Sequence, residues 1–152
     1  MKIVSIIIPI YNEENSIKAL LKKIESVELR ALGFVKEIVC VDDGSTDNTA
    51  SIIKKFKGVK YFKQRNQGKG AAVQKGIKKS KGKLILVQDA DLEYDPSDYK
   101  KLLKPFVKKN KIAVYGSRYF NKSLFSFNFF EKEKQSFLAF IFNFFLSSYF
   151  FL

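Results

Sequence analysis

The chain has 152 residues, 46% of them hydrophobic and 28% charged. That is enough apolar material for one packed domain, and it excludes a wholly disordered chain. One cysteine and no histidine exclude a disulfide framework, a Cys/His zinc site and any catalysis that needs a histidine base. Twenty-eight Lys and Arg against 15 Asp and Glu leave a net charge of +13. Such a balance suits an anionic partner (nucleic acid, a membrane surface or a phosphorylated substrate), or simply a lysine-rich solvated face.

Residues 3–10 form a short β-branched run, read as a strand buried on both faces. Glu13 and Glu14 follow at once with no small-residue cleavage site, so the run is not a secretory signal and a cytoplasmic location is expected. Residues 14–27 place Ile17, Leu20, Leu21, Ile24 and Val27 at helical spacing. Residues 37–41 are a second buried strand, and Asp47 can cap a helix carrying Ile52, Ile53 and Phe56. Residues 59–62 are a third strand. Residues 70–80 read as a helix in which Ala71, Ala72 and Gly76 are small enough for close packing. Residues 84–87 are a fourth strand. Asp95 and Pro96 start another helix, with Leu102, Leu103, Phe106 and Val107 as its apolar stripe. Residues 112–115 are a fifth strand, ended by Gly116. Residues 121–135 break the alternation and read as irregular.

Strand and helix alternating at this spacing predict βαβ units: an α/β fold with a mostly parallel sheet and helices on both faces. Ligands of such sheets bind beyond the carboxyl ends of the strands, which directs attention to residues 9–14, 42–47, 88–95 and 116–118. Pro9 stops the first strand, Tyr11 can stack on a flat base, and Glu13 can accept from a ribose hydroxyl or a base N–H. Asp42 and Asp43, followed by Gly44, Ser45, Thr46 and Asp47, make a tight polar turn that can bond a nucleoside or merely cap a helix. The run Asn66, Gln67, Gly68, Lys69, Gly70 lets backbone approach an anion at a helix start, yet it matches neither the Walker A nor the GxGxxG pattern. Asp89, Asp91 and Glu93 alternate at the end of an apolar strand, so an extended backbone would put their carboxylates on one side. Crowded carboxylates repel, and Mg²⁺ or Mn²⁺ with oxygen ligands relieves the conflict. The other reading is a solvated acidic turn. Arg118 at the end of the fifth strand can clamp a phosphate.

In this order and spacing, the motifs of residues 5–14, 37–49, 66–71, 88–95 and 116–118 resemble the family 2 glycosyltransferases of GT-A fold. The stretch 88–96 is most similar to the polyprenyl-phosphate and dolichol-phosphate sugar transferases. The resemblance covers residues 1–120 as a nucleotide-sugar-binding core. It implies that residues 121–152 are the start of an acceptor-side segment, the fold being incomplete at the C-terminus. It implies that Pro9, Tyr11, Glu13, Val41 and Asp43 line base and ribose, and that Asp89 and Ala90 meet the ribose and sugar. Asp91, with Glu93 and Asp89, would hold Mg²⁺ or Mn²⁺ on the diphosphate, and Arg118 would meet phosphate or sugar. Asp89, Asp91 and Arg118 are thus the expected catalytic set. The implied reaction is metal-dependent, inverting transfer from a nucleotide diphosphate sugar to a polyprenyl phosphate; the alternative is an inactive remnant that binds nucleotide sugar or a membrane.

Residues 137–152 carry no charge and seven phenylalanines. They fall short of the roughly 20 residues that span a bilayer. They read either as a buried helix or as a peripheral membrane contact with Lys132 and Lys134 at anionic head groups, which would put the chain at the cytoplasmic face of a membrane. Nucleic acid is not an expected partner, because the lysines are spread over several helices and no recognition motif is present.

Overall fold

The computed structural model describes residues 1–108, 113 and 114. The β-branched run near the N-terminus forms β1 (Lys2–Ile10), buried from Val4 onward. It pairs in parallel with β2 (Phe34–Asp42) on one side and with β4 (Leu84–Val87) on the other. β3 (Val59–Lys63) extends the sheet beyond β2, giving the order β3-β2-β1-β4. The chain therefore winds outward from β1 to β3 and then returns to the opposite side of β1. That reversal puts a topological switch point between β1 and β4, where the connecting loops diverge and leave a crevice.

Alternation along β1 decides which helix covers which face. Val4, Ile6, Ile8 and Ile10 pack with Ile17, Leu20, Leu21 and Ile24 of α1 (Ile17–Ser26), with Ile53 of α2 (Thr49–Ile53), and with Tyr99 and Leu103 of α4 (Tyr99–Leu103). Ile7 on the other face meets Val39, Val41 and Ala72 of α3 (Lys69–Lys79). Gly76 makes this second layer possible: a Cβ there would lie 2.3 Å from Cγ2 of Ile7. Of the small residues expected to permit close packing, Ala72 and Gly76 do so. Cys40 is fully buried in the first layer, and burial pushes its thiol up to about 12.

Three sequence expectations are corrected. α1 begins at Ile17, three residues later than the hydrophobic spacing suggested, because residues 12–14 are held by another loop. The helix opened by Asp95 and Pro96 is not continuous. Asp95 does cap it, accepting from the Ser97 amide at 2.8 Å, but a 3₁₀ turn (Pro96–Asp98), α4 and α5 (Pro105–Lys108) follow in succession. Pro105 has no N–H to continue the ladder and its ring clashes with the preceding turn. The apolar stripe breaks with it, leaving Val107 46% exposed. Of the expected fifth strand, Ala113 and Val114 are in no strand, and Ile112 and Tyr115 lie outside the described residues. The 120/121 domain boundary, Arg118 and residues 137–152 also lie outside them.

Candidate functional site

The loops after β1 and β2 are joined by hydrogen bonds running in both directions. Asn12 N donates to Ser45 Oγ at 3.0 Å, Glu13 N to Thr49 Oγ1 at 2.9 Å and Glu14 N to Asp47 Oδ2 at 3.1 Å. In return Thr46 N donates to Asn12 Oδ1 at 2.9 Å and Asn48 N to Glu14 Oε2 at 2.9 Å. Asn12 can do this because it adopts φ 55°, a left-handed conformation that asparagine tolerates better than most residues. Asp47 also accepts from Thr49 N at 3.0 Å, so it serves the start of α2 as expected, but the N-cap residue is Asn48 and the helix ends at Ile53, short of the Phe56 expected on it.

The adjacent carboxylates Asp42 and Asp43 have different tasks. Asp42 is fully buried; it accepts from Ser45 N at 2.7 Å and from the Tyr61 hydroxyl. Burial works against its charge, but these donors and nearby Lys63 outweigh it and hold the carboxyl below its ordinary range. Asp43 points the other way and gathers the segment before α3. It accepts from Gln64 Nε2 at 2.7 Å, Gln67 N at 2.9 Å and Gly68 N at 2.7 Å. Gly44 between the two loops has φ 88°, and a Cβ there would meet Asn66 N at 3.0 Å.

Beyond β4, Gln88 shapes the acidic loop from inside. It is 2% exposed, donates to the carbonyls of Asp89 and Tyr94, and accepts from the Tyr99 hydroxyl at 2.8 Å. The segment it organises is not extended. Leu92 has φ 64°, a conformation costing a branched residue about 1–2 kcal/mol. The resulting turn lets Glu93 N donate to Asp91 Oδ1 at 3.1 Å. Alternation therefore fails across Leu92. Among the described residues no group of three acidic, histidine or cysteine side chains is placed to hold a metal.

What converges instead is a cavity of about 190 Å³ at the carboxyl ends of β1, β2 and β4, lined by residues that include Pro9, Tyr11, Glu13, Asp43, Asp89, Ala90 and Asp91. It sits where the strand order reverses. Val41 is not on its wall: its side chain is buried against Ile7 and Ala72 and supports the site from behind. Glu93 is outside the lining too. Lys69, which the sequence offered together with the helix start as an anion-favouring group, does line the cavity, and Nζ lies 2.7 Å from Asp89 Oδ1. Ile10 and Ala72 complete it. Lys69 and Asp89 are 20 residues apart in sequence, so no local pattern could have paired them. Among the described residues, four carboxylates (Glu13, Asp43, Asp89, Asp91) and one ammonium line this cavity, a negative hollow in a chain of net charge +13. A depression of about 250 Å³ lined by Lys18, Ile52, Lys55 and Phe56 has no acid and is remote from the strand ends.

A parallel sheet covered on both faces, with an acidic cavity at the switch point, is the architecture of the GT-A glycosyltransferases. The fold is similar to that of the crystal structure of residues 1–349 of S. aureus TarS (TM-score 0.54, 29% identity, 70% of this chain and 31% of that one). TarS bound to UDP is also similar (TM-score 0.51, 31% identity, 60% of this chain and 28% of that one). The family model for Glycosyl transferase family 2 matches residues 5–149, and the chain belongs to that family. It is 38% identical to the undecaprenyl-phosphate 4-deoxy-4-formamido-L-arabinose transferase of Pseudomonas paraeruginosa over 108 residues, 67% of this chain and 32% of that protein. It is 39% identical to a dolichyl-phosphate beta-glucosyltransferase of Trichomonas vaginalis over 132 residues, 78% of this chain and 40% of that protein. The chain thus spans about a third to a half of the length of the curated relatives it matches. Among the described residues, no helix is long and apolar enough to cross a membrane.

Proposed function

We propose that the cavity binds a nucleotide diphosphate sugar, and that the protein transfers the sugar to a polyprenyl phosphate with inversion. The observation that carries this reading is the charge of the cavity. Four carboxylates and one lysine surround it, so a bare diphosphate would be repelled. A divalent cation between carboxylate and phosphate resolves the conflict. The donor set is all oxygen, as Mg²⁺ and Mn²⁺ prefer, and two carboxylates suffice because these ions complete their shells with phosphate and water. Asp91 and Asp89 are the residues that would hold the ion; it would neutralise charge on the departing nucleoside diphosphate. The relatives whose names specify undecaprenyl and dolichyl phosphates support the acceptor class.

Tyr11 is half exposed at the cavity mouth, suited to stacking on a base, with Glu13 and Pro9 beside it. The Glu13 carboxylate is oriented by the Ser16 hydroxyl. Asp43 contributes chiefly by holding the segment 64–68 in place. Asp89 and Ala90 face the ribose and sugar. In the transfer, an acceptor phosphate oxygen attacks the anomeric carbon as the bond to the nucleoside diphosphate breaks. A phosphate monoester has a second pKa of about 6, so at neutral pH it is ionised enough to attack without a protein base.

The test is calorimetric titration of the chain with UDP and GDP, with and without Mn²⁺. Asp91→Asn is expected to weaken the Mn²⁺-dependent component roughly tenfold or more, the loss that follows when a metal site is depleted of one charge. Unchanged binding would remove Asp91 from the site.

A further inference from the structure

Among the described residues, Lys69 is the single basic one lining the cavity. Its position is set from outside: Asp43 fixes the amides of Gln67 and Gly68, the two residues before it. From there Nζ reaches across to Asp89 Oδ1 at 2.7 Å, a full charge-assisted contact. The lysine side chain is 63% exposed and the aspartate 23%. An ion pair this wet contributes little stability and can be broken at small cost. The pair therefore occupies one of the two carboxylates assigned to the cation, with a partner that is easily displaced.

We propose that Lys69 is the resting counter-ion of Asp89 and exchanges with the divalent cation, its ammonium moving to the donor diphosphate as the cation takes the carboxylate. The inference rests on the donor-site reading above and adds to it a residue with two successive partners. Charge balance favours such a step. With Lys69 on Asp89, the cation meets a carboxylate already neutralised. With Lys69 released, the carboxylate regains its full charge, and the incoming diphosphate supplies new acceptors for the ammonium. The long, flexible lysine stem suits a group that must change partners, whereas a planar arginine fork would hold the carboxylate in one bidentate geometry.

The exchange predicts effects of opposite sign in one variant. Lys69→Met keeps the apolar stem and removes the ammonium. Mn²⁺ alone, followed by electron paramagnetic resonance of the full chain, is expected to bind roughly two- to fivefold tighter, the range expected from removing a solvent-exposed ion pair. UDP or GDP in saturating Mn²⁺, followed by calorimetry, is expected to bind roughly threefold weaker or worse, because a charge-assisted phosphate contact is lost. The gain for Mn²⁺ disappears when Asp89→Asn is the background. Mn²⁺ affinity that is unchanged or lower in Lys69→Met, while the wild-type chain binds Mn²⁺ and nucleotide normally, overturns the exchange and leaves the donor site standing. A gain for Mn²⁺ with no loss for nucleotide overturns the transfer to the diphosphate. A wild-type chain that binds neither Mn²⁺ nor nucleotide removes the donor-site reading, and the exchange with it.

Discussion

Asp43 distinguishes a residue that touches donor from one that builds the wall, and Asp43→Asn tests which it does. In the structure Oδ1 accepts from Gln64 Nε2 and Gln67 N, and Oδ2 accepts from Gly68 N. An asparagine can keep the first two with its carbonyl oxygen, but its NH₂ then faces the Gly68 N–H, donor against donor. Hydrogen bonds to a charged acceptor contribute about 1.5–3 kcal/mol each. Asp43 is 4% exposed, so water cannot easily take over from its side. Gln67 and Gly68 are exposed, so their amides can turn to solvent and recover part of the loss. The expected net cost is about 2 kcal/mol, from one bond lost and two weakened. Urea unfolding should report that loss. Hydrogen exchange should show faster turnover at Gln67 and Gly68, with α1 unchanged. If stability and exchange at Gln67 and Gly68 stay at wild-type levels while nucleotide binding falls, Asp43 is a donor contact and the positioning argument is wrong.

Gly76→Ala gains helix propensity of about 1 kcal/mol but drives a Cβ to 2.3 Å from the stiff β-branch of Ile7. Overpacking costs about 1–3 kcal/mol, so net destabilisation is expected in urea unfolding, smaller in an Ile7→Ala background; equal losses in both backgrounds would refute the contact. Burial opposes the charge of Glu37, but the Lys60 ammonium, the Lys81 amide and the Ser5 hydroxyl outweigh it and hold the carboxyl down to about 2, against an ordinary 4.5. Because the folded value is depressed, this stabilisation is complete above pH 4.5 and is lost as pH falls toward 2; denaturation curves of Glu37→Gln across that interval should be flatter with pH than those of wild type, and parallel slopes would exclude the linkage. If residues 137–152 attach to membranes, the full chain should float with anionic liposomes and a chain ending at Gln135 should not; equal behaviour of the two would exclude that role.

The sheet was readable because β1 from Val4 and β2 from Ile38 are buried on both faces, while β4 shows as an apolar run although Ile85 and Val87 are exposed. The apolar runs ending at Ile10, Val41 and Val87 need no partner information to be seen. α3 was readable from Ala71, Ala72 and Gly76, whose small size makes sense only against a sheet. Element ends were less readable: Pro105 is a visible breaker, but the apolar residues on either side of it suggested one continuous stripe. The acidic run misled for a physical reason. Alternation holds only while the backbone stays extended, and the left-handed conformation of Leu92 is one that a leucine gives no sign of adopting. The strand-end rule located the cavity, and Pro9, Tyr11, Glu13, Asp43, Asp89, Ala90 and Asp91 do meet there. Their partners were hidden, because hydroxyls such as Ser45 and Thr49 bond amides more than thirty residues away.

The joined loops after β1 and β2 have a consequence for how substitutions combine. Asn12, Glu13 and Glu14 each give their amide to a side chain of the segment 45–49, and two of them receive an amide in return. Two stretches that look like separate motifs are mechanically one body, so a change at Ser45 or Thr49 is felt at Glu13 as directly as a change beside it. Energies of paired substitutions across this seam should fail to add. Across the cavity, among the described residues, the side chains of Lys69 and Asp89 are tied by a single exposed ion pair. One side is built as a fixed template and the other as an adjustable one. Engineering for a different ligand would therefore have to exchange whole segments on the first side, while single replacements suffice on the second.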